Sequence, residues 1–171
     1  MKRAVFFDRD GVLNELVFRN GGFYSPQSFA QFKIMDSPGL VINKLKKKGF
    51  LCIVVSNQPD ISRENLKKIE LDKMTKVLKN FLIIDDVLYC MHDDIDNCSC
   101  RKPLPGLLIK AAKKWEIDLK KSFMIGDSLK DYDAAKNAKV DFILLSNNYN
   151  IDIQCSNKIN NLKDIFKYIK G

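Results

Sequence analysis

The sequence predicts an α/β fold: a three-layer sandwich with helices on both faces of a mostly parallel central sheet. Three observations carry that expectation. Short runs rich in apolar, β-branched and aromatic residues alternate along the chain with longer segments of helical periodicity. The first run, Ala4-Val5-Phe6-Phe7, is continuously apolar, as befits a strand buried on both faces of a parallel sheet. It ends on Asp8-Arg9-Asp10-Gly11, where glycine lets the chain turn at the carboxyl edge of the sheet, the edge at which such sheets bind ligands.

Strands are expected at residues 4–7, 50–55, 86–90, 122–125 and 141–145, and helices at 38–48, 63–80, 104–115, 128–137 and 162–169. The helix at 38–48 has Asp36 or Ser37 as its cap, Pro38 at its first position, Leu40, Val41 and Leu45 on one face, and Gly49 to end it. In the helix at 63–80, Leu66, Ile69, Met74, Val77 and Leu78 keep roughly helical spacing, which is ordinary core packing. Residues 15–32 show no clear periodicity and read as a loop over the active edge. Residues 147–161 are polar and rich in asparagine, and read as a surface excursion before the last helix. Right-handed crossovers bring several strand ends to one edge, a Rossmann-like arrangement. With no internal repeat and no long linker, residues 1–171 are expected to form a single domain.

Composition narrows the function classes. A hydrophobic content of 46% argues for a packed core and against disorder. No apolar stretch reaches the ~18 residues needed to span a bilayer, and Met1-Lys2-Arg3 is followed by only four apolar residues, so no signal peptide is read there. A cytoplasmic, monomeric protein with no membrane partner is the expectation. The net charge of +8 suits an anionic partner, either nucleic acid or a phosphorylated small molecule. The densest cluster, Lys44, Lys46, Lys47 and Lys48, sits at a helix end where the dipole favours it, and no basic stripe is interleaved with aromatics, so no nucleic-acid partner is expected. Five cysteines without a secretion signal do not imply a disulfide framework. No Gly-rich Walker loop is present, which argues against a kinase.

The chemistry lies at the strand ends. Asp8 and Asp10 can hold a divalent cation, and one of them can attack an electrophile; solvated loop aspartates are the plain alternative. Ser56-Asn57-Gln58 follows the second strand, where a hydroxyl and exposed N–H groups can hold phosphate oxygens, although the composition is also that of an ordinary turn. Arg101 and Lys102 precede a proline-set helix start and offer two cations, one bidentate and one a point charge. Gly126-Asp127 ends a further apolar run, so Asp127 can join Asp8 around a metal. Asp131, one helical turn on, can hold Lys102.

In this order the four segments resemble the haloacid-dehalogenase superfamily of phosphatases, from about residue 4 to 145. The resemblance implies a phosphoaspartyl mechanism. Asp8 would be the nucleophile and Asp10 the general acid and base. Mg²⁺ would be held by Asp8, the backbone carbonyl of Asp10, and Asp127. Ser56 and Lys102 would bind the transferring oxygens, with Asn57 and Gln58 in the same phosphate-binding segment.

One cluster stands apart. Cys90-x-His92 and, five residues on, Cys98-x-Cys100 place three thiols with the chain's only histidine, a donor set for tetrahedral Zn²⁺. Such a closed site is structural, and it would pin the loop that runs into Arg101-Lys102. Cys52 is read as core and Cys155 as an uninvolved thiol. The zinc loop, with no large cap domain, is similar to that of the heptose 1,7-bisphosphate 7-phosphatases and of the histidinol-phosphatase domains. Arg63 resembles the former group's Asn-Gln-…-Ile-…-Arg pattern, where it would face substrate; a surface cation at a helix start is the alternative. Pro59-Asp60 and Glu64 depart from that pattern on substrate-facing segments. The expectation is a Mg²⁺-dependent phosphatase for a phosphorylated sugar, D-glycero-D-manno-heptose 1,7-bisphosphate first. A histidinol-phosphate phosphatase and a non-catalytic binding module on the same fold are the alternatives.

Overall fold

The first apolar run becomes the strand around which the sheet is built. The computed structural model describes residues 1–170. β1 (Arg3–Phe7) pairs in parallel with Phe50–Asn57 on one side and Phe123–Gly126 on the other. β2 (Val17–Arg19) and β3 (Gly22–Tyr24) form a separate antiparallel hairpin. The remaining strands are β4 (Phe50–Asn57), β5 (Asp86–Cys90), β6 (Phe123–Gly126), β7 (Asp141–Leu145) and β8 (Lys158–Ile159). The helices are α1 (Pro38–Lys47), α2 (Lys68–Phe81), α3 (Gly106–Trp115) and α4 (Leu129–Ala138). The main sheet runs β5-β4-β1-β6-β7-β8 with every pairing parallel, so strand order reverses beside β1. A crevice opens at such a reversal, and Asp8 stands at its lip.

Alternation along β1 divides the core. Val5 and Phe7 pack with Ile42 and Leu45 of α1 on one face. Ala4 and Phe6 pack with Leu108 and Ala111 of α3 and with Ala134 and Ala135 of α4 on the other. Both sets are fully buried, as a parallel sheet covered on both faces requires. Outside this sandwich the described residues hold the β2–β3 hairpin, short 3₁₀ turns and loops.

Several local expectations change. The helix expected from residue 63 starts at Lys68, because residues 59–66 fold into turns, with Leu66 N–H donating to the Asp60 carbonyl. Its apolar face is Leu71, Met74 and Leu78, while Ile69 points outward. In α1 the buried face is Val41, Ile42 and Leu45, and Leu40 is exposed; Ser37 makes no side-chain cap bond. Gly49 does end that helix, with φ of +79°. Residues 104–105 precede α3 and do not belong to it, and the last helix is a 3₁₀ segment, Leu162–Lys167. The expected loop at 15–32 contains the β2–β3 hairpin, and the excursion at 147–161 contains β8. Cys52 is core, as read, and Cys155 is half-buried against the α3–α4 face.

Gly106 shows how tightly the segment before α3 is seated. A Cβ there would lie 2.2 Å from the Ser99 carbonyl oxygen and 2.8 Å from Cys100 Cα, both backbone atoms that cannot swing aside. Gly106→Ala should therefore destabilise the protein by about 1–3 kcal/mol, the usual cost of overpacking, as measured by urea unfolding with unchanged slope.

Candidate active site

β1 delivers Asp8 to the crevice, and its N–H extends the ladder to the Ile125 carbonyl of β6 at 2.9 Å. The chain then turns at Gly11, whose φ is +83°. A Cβ there would sit 2.1 Å from Asp127 Oδ2, so this position needs glycine both for its backbone and for the room it leaves Asp127.

Lys102 joins the strand ends. Its Nζ donates to Asp8 Oδ1 at 2.9 Å, to Asp131 Oδ1 at 2.5 Å and to the Val55 carbonyl at 3.0 Å, which uses all three of its protons. Burial disfavours its charge, but the Asp131 and Asp8 carboxylates outweigh that and hold the ammonium above its ordinary range. Asn57 fixes the Lys102 backbone with a reciprocal pair of bonds at 2.9 and 3.0 Å. Asp131 is itself fixed by the start of α4, where Ser128 N–H and Oγ–H donate to its Oδ2.

Asp8, Asp127 and Asp131 each place an oxygen within 4.8 Å of the others. Burial pushes the Asp127 carboxyl up to about 8, helped by the charges of Asp8 and Asp131. Burial likewise lifts Asp8 to about 6 against the pull of Lys102. Three carboxylates against one ammonium leave an excess of negative charge in all-oxygen surroundings, which fits a hard divalent cation such as Mg²⁺.

Asp10 lies apart from that carboxylate group. Its carboxylate accepts from Arg9 Nε at 2.9 Å and a second Arg9 nitrogen at 3.0 Å, from Asn14 Nδ2 at 2.9 Å and from Gln58 Nε2 at 2.8 Å. Burial alone would raise its pKa; the Arg9 charge and the Asn14 and Gln58 bonds reverse that and hold it below the ordinary carboxylate range. Any part Asp10 takes in holding a metal therefore falls to its backbone carbonyl. Arg9 is fully buried, with Phe32 and Tyr89 rings within 6 Å of its guanidinium carbon.

The cleft, about 350 Å³ in volume, is lined by Asp8, Asp10, Ser56, Asn57, Arg63, Arg101, Lys102, Asp127 and Asp131 among others. Gln58 is the exception among the sequence candidates: it is buried, does not line the cleft, and bridges Ser56 Oγ, Asp10 and Arg9. Arg63 lines the rim but is paired side-on with Asp93 at 2.5 and 2.6 Å. Arg101 pairs with Asp94 at 2.6 Å and donates to the His92 carbonyl. Arg9, Asn14, Lys130, Tyr149 and Asn150 also stand at or beside the site and are not among the residues the motifs single out. Arg9 carried one signal, a charge placed between two aspartates at the end of an apolar strand. The others carried none.

Cys90, His92, Cys98 and Cys100 also converge within 4.8 Å. Sulfur–sulfur separations of 3.6, 3.2 and 3.5 Å and His92 Nδ1–sulfur separations of 3.6 and 3.3 Å approach the ~3.7 Å edge of a tetrahedron with Zn–S bonds near 2.3 Å. The donor set and its spacing both fit Zn²⁺.

The raised carboxyls have a consequence for stability. Both Asp8 and Asp127 bind protons in the folded state that the unfolded chain, with carboxyls near 3.8, has already released. Between pH 4 and about 8 the folded state therefore holds more protons, and stability falls as pH rises. Magnesium-free, zinc-loaded protein should melt at a lower temperature at pH 8 than at pH 5.5 by differential scanning calorimetry. Added Mg²⁺ should raise the melting temperature more at pH 8, where it does not compete with those protons.

Comparison with known proteins agrees with this geometry. The model of the haloacid dehalogenase-like hydrolases matches residues 27–139. The chain is 32% identical to a D-glycero-beta-D-manno-heptose-1,7-bisphosphate 7-phosphatase of Helicobacter pylori, over 98% of this chain and 97% of the relative. It is 30% identical to a D-glycero-alpha-D-manno-heptose-1,7-bisphosphate 7-phosphatase of Campylobacter jejuni, over 98% and 96%. It is also similar to the crystal structure of a D,D-heptose 1,7-bisphosphate phosphatase from B. bronchiseptica complexed with magnesium and phosphate. That likeness has a TM-score of 0.74 and 26% identity, over 83% of this chain and 79% of that one. With a family model that matches well over half of its length and relatives at 30–32% identity along nearly all of it, the chain belongs to the haloacid dehalogenase-like hydrolases.

Proposed function

We propose that the protein is a Mg²⁺-dependent phosphatase that removes a phosphate from a sugar phosphate through an aspartyl-phosphate intermediate. Heptose 1,7-bisphosphate is its first-choice substrate and the 7-phosphate the group removed. The observation that carries this reading is the Asp8 carboxylate, presented at the mouth of the cleft with Lys102 2.9 Å from one oxygen and Asp127 and Asp131 beside it. The names of the relatives supply the sugar and divide between its two anomers.

In this reading a free oxygen of Asp8 attacks phosphorus, and the bond from phosphorus to the sugar oxygen breaks. Mg²⁺, held by Asp8, Asp127 and the Asp10 carbonyl, would neutralise charge on the phosphoryl oxygens. Ser56 binds those oxygens with its hydroxyl proton, and Lys102 with the proton it gives to Asp8 before substrate arrives. Asp10 gives a proton to the departing sugar oxygen, then takes one from the water that hydrolyses the aspartyl phosphate. The four donors around Asp10 keep it ionised before substrate arrives, and the nearby phosphate dianion raises its proton affinity for the first step. Zn²⁺ on Cys90, His92, Cys98 and Cys100 would hold the loop that sets Arg101 and Lys102. Arg63 and Arg101 stand at the rim, where a second phosphate or the sugar hydroxyls would lie. No helix among the described residues is long and apolar enough to cross a membrane. A monomeric cytoplasmic enzyme without a nucleic-acid partner completes the reading.

Phosphate release should be measured side by side from both anomers of heptose 1,7-bisphosphate, from histidinol phosphate and from a broad panel of phosphate esters with Mg²⁺. The heptose bisphosphates should give the highest kcat/KM; a higher value for histidinol phosphate would reassign the substrate, and no hydrolysis of any ester would leave a binding module. Asp8→Asn should abolish turnover nearly completely with the melting curve retained. Asp10→Asn should lower kcat by ~10²–10⁴, since amide keeps an acceptor for Arg9 but cannot move the proton. Cys98→Ser should lose zinc by metal analysis and lower activity that excess Mg²⁺ does not restore.

A further inference from the structure

The loop after β7, residues 146–157, reaches back to the carboxylate cluster through one side chain. Tyr149 Oη donates to Asp127 Oδ2 at 2.6 Å. Asn147 Nδ2 donates to the same phenolic oxygen at 3.0 Å, which directs the phenol's own proton at the carboxylate. Asn150 Nδ2 holds the Asp127 backbone carbonyl at 2.8 Å and that of Leu145 at 2.9 Å, so loop and strand end are tied together. On its other side the Tyr149 ring packs against Phe23 of β3, with centroids 5.1 Å apart. Among the described residues no protein donor reaches Asp127 Oδ1. The carboxylate is thus held by one oxygen, with the other left to a cation.

We propose that Tyr149 is a positioning residue for Asp127: its phenol fixes the carboxylate's orientation and so sets the affinity for the divalent cation, and Phe23 holds the phenol in place. The inference rests on the reading of Asp8 and Asp127 as cation ligands. A hydrogen-bond partner behind a ligand acts on metal affinity because a free carboxylate must lose rotational freedom when it binds. The aromatic contact makes the β2–β3 hairpin part of this support, although it carries no ligand itself.

Mn²⁺ serves as the probe, with free ion followed by electron paramagnetic resonance in titrations of the full, zinc-loaded chain. Tyr149→Phe, which keeps the ring and its contact with Phe23, should raise the Mn²⁺ dissociation constant about tenfold or more. Turnover should fall at low Mg²⁺ and recover at high Mg²⁺, a rescue that a merely structural loss would not show. Phe23→Ala should raise the constant in the same direction by a smaller factor. Wild-type affinity in Tyr149→Phe, beside lost affinity in Asp127→Asn, would overturn the inference and leave the cation site standing. Wild-type affinity in Asp127→Asn would overturn both. Should Tyr149→Phe fail to fold, Asn147→Ala carries the test: an increase of about threefold supports the inference and an unchanged constant overturns it.

Discussion

The site depends on one buried ammonium. Lys102 sits 4% exposed between Asp8 and Asp131, with its third proton on the Val55 carbonyl at the end of β4. It therefore ties β1, β4 and the start of α4 at a single point. Removing its charge would leave two buried carboxylates facing each other without compensation, which costs far more than an exposed pair ever contributes. The geometry that would present Asp8 as the proposed nucleophile is the same geometry that makes this corner of the fold stable.

The compensation is incomplete: three carboxylates share one ammonium, which leaves two negative charges unanswered. Lys102 answers Asp8 and Asp131, while Asp127 is left with a neutral phenol as its donor and a carboxyl pushed up to about 8. A site in this state suits a divalent cation, which in the proposed mechanism would bring an anionic phosphate with it. The zinc-type cluster acts on the same corner from a distance. Cys100 precedes Arg101 and Lys102 directly, and Arg101 is tied to Asp94 and the His92 carbonyl within the loop. A metal held there would lock that loop and limit how far the Lys102 ammonium can wander, since only two peptide bonds separate Cys100 from Lys102.

Most of the sheet and much of the site were legible in the sequence. Strands buried on both faces leave unbroken apolar runs, and all five expected strands match observed ones closely because that pattern has few other uses. Asp8 and Asp127 can be read because each follows such a run, and Lys102 because it stands beside an arginine before a proline-set helix start. What escaped has physical reasons. The 3₁₀ segment at Leu162–Lys167 carries helical spacing too short to separate from an α-helix. The β2–β3 hairpin has three residues per strand, too few for alternation to register. The turn composition at Gln58 suits a phosphate ligand but does not say which way the amide points; it points inward, to Asp10 and Arg9. Tyr149 lies in a polar stretch more than twenty residues from Asp127, and only the fold brings them together.

Arg9 shows what a buried charge can be for. A guanidinium with no exposure is costly, and an apolar residue of similar volume would pack against Met74, Phe32 and Tyr89 at no such cost. The cost is offset by the bidentate pair with Asp10, which also fixes the carboxylate plane. In the proposed mechanism Asp10 would alternate between proton donor and acceptor, and a group that alternates is best held in one place while its proton affinity changes with its surroundings. Arg9 cannot itself give up a proton, so it holds Asp10 without competing in the transfer. Gln58 and Asn14 complete the hold with neutral donors. The placement of charge follows a rule: permanent charge lies under Asp10, where position matters, and Asp127 keeps a neutral partner, so that its unbalanced charge remains available to a metal.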